Sequence, residues 1–305
     1  MNKLLVICGP TATGKTKLGI QLAKKFNGEI ISADSRQVYK GMDIGTGKDV
    51  ENLKSVPVWG LNLVKPNQEF SVAHFVKFAV LVINDIWERK KLPIIVGGTG
   101  FWIKALIYGI ESINIPPDWK LRKKLRNYDI KKLREILNDL DPQRLEKMNQ
   151  SDRNNPRRLI RAIEIKKNPS PRLVGLGPKK LKIDELLMIG LKATDYRTLY
   201  KKIDERVDKR IKQGIEKEVK LLIDQGYLWN SPSFSACGYQ IWKEYFEKKK
   251  TLAEIIQRWK YDEHSLARRQ LNFFKKENII YWFDINDQSF LTKIENIASR
   301  WYSKK

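Results

Sequence analysis

The stretch CGPTATGKT, Cys8–Thr16, closes a short apolar run and opens a segment with helical spacing. It satisfies the phosphate-loop pattern G-x-x-x-x-G-K-[ST], in which Gly9 and Gly14 let backbone N–H groups close around a phosphate. Lys15 supplies positive charge and Thr16 a hydroxyl able to ligate a metal. The candidate phosphate contacts are therefore Gly9, Pro10, Thr11, Ala12, Thr13, Gly14, Lys15 and Thr16. Such a loop needs a strand before it and a helix N-terminus after it, so reading it fixes the class of fold.

Working outward, KLLVICG reads as a buried strand and KTKLGIQLAKKF as the helix that follows the loop. EIISAD is a second strand, and LPIIVGGTG a third that breaks on its glycines; between them FSVAHFVKFAVLVINDIWERK has helical spacing. Strands alternating with helices predict an α/β fold, a phosphate-loop parallel sheet flanked by helices, with ligands at the carboxyl ends of the strands. LLMIGLKA is a returning strand. After it, YKKIDERVDKRIKQGIEKEVKLLIDQG places Ile203, Val207, Ile211, Ile215 and Val219 on one face of a helix that Gly226 can stop. Arg206 and Arg210, four apart, share another stripe.

The chain of 305 residues carries 59 Lys/Arg against 35 Asp/Glu, a formal charge of +24. That excess predicts a polyanionic partner, nucleic acid before membrane. The segment 111–182 holds 20 basic and 9 acidic residues, so +11 of the total, and loses the strand-like runs. PPDWKLRKKLRN, IKKLREILNDLD and NNPRRLIRAIEIKKN read as short helices, with NPSPRLVGLGPKK as an exit linker. The expected organisation is a core first part, 1–110; a basic helical insertion, 111–182; and a returning core with C-terminal helices, 183–305. Two cysteines, Cys8 and Cys237, make neither a disulfide framework nor a zinc site, and Cys8 is expected to pack. MNKLLVIC is too short an apolar run for a signal peptide and no stretch reaches a membrane span, so a cytoplasmic protein without membrane contact is expected.

The phosphate loop alone identifies a phosphate site and not a reaction. A triphosphate hydrolase carries a magnesium-binding aspartate at a strand end, yet the third strand ends in Gly97, Gly98 and Thr99. The second ends in DSRQVY, where Asp34 is placed across the crevice from the loop beside Ser35, Arg36 and Gln37. A carboxylate there can act as a base or a metal ligand, or simply cap a helix.

The blocks GPTATGKT, DSRQVYKGMDIGTGK, VGGTGFWIKAL, DRNNPRRLIRAIE, GYQIW and LARRQLNFFKK follow one another as do those of the bacterial tRNA dimethylallyltransferases. The sequence resembles that family over nearly its whole length. The resemblance implies transfer of a dimethylallyl group from dimethylallyl diphosphate to the exocyclic N6 amine of the adenosine beside the tRNA anticodon, with Mg2+ as cofactor. It assigns the cradled phosphate to the diphosphate, Arg206 to a contact with it, and Asp34 to the base that accepts the amine proton. By the same carry-over Thr99 lies near the target adenosine. The RNA-facing set is Asp34, Ser35, Arg36, Gln37, Thr99, Arg122, Arg157, Arg158, Arg161, Ser235, Cys237, Gly238, Tyr239, Gln240, Arg268, Arg269, Gln270 and Lys275. Metal ligation falls to Thr16. At least one of Phe273 and Phe274 is expected in the core. The partners are then the anticodon stem-loop and dimethylallyl diphosphate, and the chain is expected to act as a monomer.

The sequence departs from the family pattern at Pro57–Val64, PVWGLNLV, where a PHHLID-like stretch is usual. Lys202 replaces the first arginine of RIxxR, and GTGFW replaces GTGLY, which puts Phe101 and Trp102 near the prenyl pocket. Three other readings compete: a phosphate-loop kinase of a nucleotide or small metabolite, a prenyltransferase of free AMP, and an inactive RNA-binding module. The missing strand-end acid and the basic load weigh against the kinase. A basic insertion is wasted on a mononucleotide, and Lys15, Thr16 and Asp34 are all in place for chemistry.

Overall fold

A computed structural model describes residues 1–48, 55–168 and 181–304. The described residues form two compact units, one running from Met1 to Ile107 and resuming at Leu181, the other the intervening segment that begins at Tyr108.

In the first unit, β1 (Lys3–Cys8), β2 (Gly28–Ser32), β3 (Val58–Trp59), β4 (Leu92–Gly97), β5 (Glu185–Lys192) and β6 (Ile280–Asp284) form one six-stranded sheet in the order β3-β2-β4-β1-β5-β6. Every pairing is parallel. β1 and β4 are buried at all positions, as expected of parallel strands covered on both faces, whose sequences run continuously apolar. Two strands escape the sequence reading. β3 has two residues within PVWGLNLV, and β6, IYWFD, adds a sixth strand where only C-terminal helices were expected.

Helices α1 (Lys15–Lys25), α2 (Val72–Glu88) and α3 (Gly100–Tyr108) follow the first strands. Leu18 and Leu22 of α1 pack with Leu5, Ile7, Ile30, Ile94 and Val96 in the main core. Cys8 is fully buried there, and burial pushes its thiol up to about 12. The last helix, Phe290–Ser303, adds Ile294, Ala298 and Trp301 to that core. Its C-terminal carbonyls are capped by the buried Lys3 ammonium, which donates to Trp301 at 3.0 Å and Tyr302 at 2.7 Å.

The second unit contains α4 (Trp119–Leu125), α5 (Ile130–Leu140), α6 (Pro142–Lys147), α7 (Gln150–Arg153) and α8 (Pro156–Lys167). Asp118, Asp129, Asp141, Asn149 and Asn155 cap their N-termini. Leu133 and Leu137 of α5 close on Leu159, Ile160 and Ile163 of α8. The linker expected at 168–180 lies almost wholly outside the described residues.

Back in the first unit, the single long helix expected before Gly226 is two: α9 (Tyr196–Lys212) and α10 (Ile215–Asp224). Gly214 separates them at φ 92°, a left-handed conformation that suits glycine. The apolar stripe also drifts: Ile203 and Val207 are buried, but the next buried position is Arg210, while Ile211 is half-buried. A strict spacing of four walks off a face that recurs every 3.6 residues. α11 (Trp242–Phe246) and α12 (Leu252–Phe274) complete the unit, α12 opening with a Thr251–Glu254 capping box and burying Phe274. No helix among the described residues is long and apolar enough to cross a membrane.

Candidate active site

At the carboxyl ends of β1, β2 and β4 the first unit opens a cavity of about 720 Å³. The phosphate loop forms one wall. Gly14 caps α1 in the left-handed conformation, and Lys15 folds over the loop so that Nζ donates to the Pro10 carbonyl at 2.6 Å. Thr13 Oγ1 donates to the same carbonyl at 2.9 Å. Burial is the main influence on Lys15 and lowers its pKa to about 8, with the nearby Arg206 guanidinium lowering it further against the pull of Asp34. The Lys15 ammonium and the Arg206 guanidinium thus stand together at the loop, an arrangement suited to an anion.

Asp34 follows β2 and lines the same cavity, its Oδ1 accepting from Arg36 N at 2.8 Å. Thr99 Oγ1 accepts from Ser35 N at 3.0 Å, which ties the ends of β2 and β4 together. Arg206 of α9 reaches across to the loop, donating from Nη1 to Thr11 Oγ1 at 2.5 Å. Gln270 of α12 locks two further pieces: its Oε1 accepts from Thr11 N at 2.8 Å and its Nε2 donates to Gly98 O at 3.2 Å. Ser35, Arg36, Gln37, Ser235, Cys237 and Arg269 complete the predicted residues on the lining, with Arg36 Nη1 donating to Ser235 Oγ at 2.9 Å. Burial raises the Cys237 thiol to about 12.

The oxygen groups lining the cavity include the Thr16 hydroxyl, in the first turn of α1, and the Asp34 carboxylate. Among the described residues no group of three or more His, Cys, Asp or Glu is placed to hold a metal. A hydroxyl and a carboxylate are hard ligands of the kind magnesium combines with phosphate oxygens, so the residues present fit that ion with a diphosphate as co-ligand.

Sequence comparison decides the family. Residues 37–277 match the family model described as IPP transferase, and residues 2–56 the one described as isopentenyl transferase. The chain belongs to the IPP transferase family. A tRNA dimethylallyltransferase of Acetivibrio thermocellus is 40% identical over 95% of this chain and 93% of its own length. One from Geobacillus thermodenitrificans is 40% identical over 97% and 95%. Among solved structures, the tRNA isopentenylpyrophosphate transferase of Bacillus halodurans superposes with a TM-score of 0.73 at 35% identity, covering 99% of this chain and 97% of that one. A eukaryotic dimethylallyltransferase acting on tRNA gives 0.80 at 27% identity, with 98% and 77% covered.

Several residues assigned from the family blocks lie elsewhere in the structure. Tyr239 is fully buried, its hydroxyl donating to Glu218 Oε1 at 2.6 Å, and Gly238 packs on Trp259. Gln240 and Lys275 are exposed, and Arg268 donates to the Tyr200 hydroxyl at 2.7 Å and Ser265 Oγ at 2.9 Å. Trp102 is buried and stacks on Phe75 at 4.6 Å, while Phe101 is exposed; neither lines the cavity. Its apolar lining includes Ile30, Val58, Leu61, Val96 and Leu266, so the departing stretch PVWGLNLV contributes Val58 and Leu61.

In the second unit, Arg122 and Arg161 are held internally. Arg122 grips Glu164 with Nε at 2.7 Å and Nη2 at 2.8 Å, while Arg161 pairs with the same carboxylate and donates to the carbonyls of Ser112 and Ile115, each at 2.8 Å. Arg157 and Arg158 are exposed, Arg158 pairing with Asp152. Sequence reasoning missed Lys17, Lys202, Lys209, Arg210, Glu263 and the Gly45–Gly47 turn on the cavity wall. The four-residue spacing of Arg206 and Arg210 was the available signal for Arg210; nothing local pointed to Glu263.

Proposed function

We propose that this chain transfers the dimethylallyl group of dimethylallyl diphosphate to the N6 amine of the adenosine beside the anticodon of tRNA. The observation that carries it is the meeting, in one cavity, of the phosphate loop, the Arg206 guanidinium and the Asp34 carboxylate. An adenine amine is a weak nucleophile because its lone pair is delocalised, so ionising the allylic C–O bond is the difficult part. Lys15, the loop N–H groups and Arg206 receive the diphosphate and stabilise the negative charge that grows as it leaves, a contribution of several kcal/mol in a site screened from water. Thr16 together with the diphosphate oxygens would hold magnesium, which supplies further neutralisation of the leaving group.

The C1–O bond breaks with its electron pair passing to the diphosphate, and the N6–C1 bond forms. Asp34 accepts the proton that N6 sheds as that bond closes. The five-carbon chain lies against apolar side chains of the cavity lining such as Ile30, Val58, Leu61 and Val96. Extruding the adenosine from the anticodon stack costs a few kcal/mol, offset by contacts along the RNA. The basic helical unit supplies the backbone contacts through exposed cations such as Arg157 and Arg158.

Mass spectrometry of tRNA nucleosides after incubation with dimethylallyl diphosphate and magnesium tests this reading. Prenylated adenosine formed without ATP is expected. Phosphate transfer from ATP to an acceptor, with no prenylated nucleoside, would establish the kinase instead.

A further inference from the structure

The cavity that receives the diphosphate contains a buried ion pair for which the proposed chemistry has no use. Arg210 is 4% exposed and Glu263 5%, and Arg210 Nη1 donates to Glu263 Oε1 at 2.9 Å. Burying two opposite charges is weakly favourable at best, so such a pair on a cavity wall calls for a reason other than stability.

The geometry over-determines where Arg210 points. Its guanidinium lies over the Trp259 ring, 5.6 Å from the centroid, and Trp259 Nε1 donates to the same Glu263 oxygen at 3.3 Å. Glu263 is thereby held by two donors, and Arg210 by a carboxylate and an aromatic face. Among the described residues its buried Nε has no protein acceptor.

What the pose serves is found at Gly47. A Cβ built there would collide with Nη2 of both Arg206 and Arg210, and the residue stands at φ 65°. Two guanidiniums from successive turns of α9 therefore converge on one point of the backbone, on the Gly45–Gly47 wall of the cavity. The Gly47 carbonyl in turn accepts from Gln37 Nε2 at 3.3 Å. Like charges one turn apart repel; the Glu263 carboxylate compensates Arg210, which lets the pair stand side by side. With Gly47 and the fixed Arg210 behind it, Arg206 is held toward Thr11 of the phosphate loop.

We propose that Arg210, clamped by Glu263, is a positioning residue for the diphosphate: it fixes Gly47 and Arg206 so that the Arg206 guanidinium is already aimed at the leaving group. The proposal rests on the diphosphate reading of the loop and adds a residue and its clamp to it. Preorganising a cation in this way raises affinity because less freedom is lost on binding.

The test is titration with inorganic diphosphate and magnesium, with tRNA binding and transfer measured in parallel. Arg210→Met/Glu263→Gln removes one charge of each sign, leaving the net charge unchanged. It should weaken diphosphate about tenfold and raise the KM for dimethylallyl diphosphate to match, while the tRNA Kd stays within twofold. Arg210→Lys keeps the charge and the ion pair but lacks the fork that reaches Glu263 and Gly47 together, and should lose severalfold; it is the variant to read if the double substitution does not fold. In an Arg206→Ala background the Arg210 substitutions should cost nothing further, because the residue through which they act is gone. A folded variant with a lowered melting midpoint and unchanged diphosphate affinity would overturn the proposal, as would losses that simply add in the Arg206→Ala background. Failure of the underlying reading looks different: the unsubstituted protein itself would neither bind diphosphate nor transfer.

Discussion

Arg206 donates to Thr11 Oγ1 at 2.5 Å, joining α9 to the phosphate loop across 195 positions of sequence. The bond puts a permanent cation opposite Lys15 and explains part of the depression of the Lys15 pKa. Replacing Arg206 by Lys keeps the charge and removes the planar fork. A bidentate contact to diphosphate lost this way should lower kcat/KM for dimethylallyl diphosphate by about 10- to 100-fold, the range of a charged hydrogen bond. The KM for tRNA should hold. Steady-state kinetics with each substrate varied in turn checks both.

Asp34 is assigned the amine proton. Asp34→Ala should bind tRNA as the unsubstituted chain does and lose transfer by on the order of 10²-fold or more, the contribution of a general base. Single-turnover rates at saturating tRNA measure this directly, and near-normal rates would remove Asp34 from the mechanism.

Lys15 gives the pH dependence. Its pKa falls from 10.5 to about 8 on folding, chiefly through burial, so the loop is cationic below pH 8 and neutral above it. The bound diphosphate favours the charged form, hence diphosphate affinity should be level below pH 8 and decline as pH rises past it. Stability moves the other way. A lysine with a depressed folded pKa binds fewer protons in the folded state, so its contribution improves between about pH 8 and 10.5. Loss of binding over that window with an undiminished melting midpoint separates the site from the fold.

Glu164 anchors the basic helical unit. Burial pushes its pKa up, but the ion pairs with Arg122 and Arg161 prevail and hold it below the usual carboxylate value. Glu164→Gln leaves two guanidiniums without their charge partner and should cost about 3–5 kcal/mol, whereas Arg161→Gln should cost less, because Arg122 still pairs with the Glu164 carboxylate. Arg157→Gln should leave stability unchanged and instead flatten the slope of log tRNA affinity against log salt by about 0.7–0.9. Thermal melts and a salt series on the three variants distinguish fold from contact. An unchanged slope for Arg157→Gln in a folded protein would release α8 from the RNA.

The sequence by itself determined what depends on neighbours in the chain. The phosphate loop is a run of nine residues, and its strand and helix are legible beside it because buried parallel strands and amphipathic helices each impose a short period. Asp34 and Thr99 both line the cavity, because the carboxyl ends of parallel strands converge on one edge. β3, with two residues, and β6, with one buried position, one exposed and three half-buried, carry too little periodicity to be read. The tertiary structure alone decided which cations serve which purpose. Arg161 and Arg157 look alike in PRRLIRAIE, yet Arg161 turns onto Glu164 and two carbonyls while Arg157 stays in solvent. Arg210 and Glu263, 53 positions apart, became a pair only when α9 and α12 packed, for a buried charge chooses its partner by proximity in space, and no local pattern encodes that.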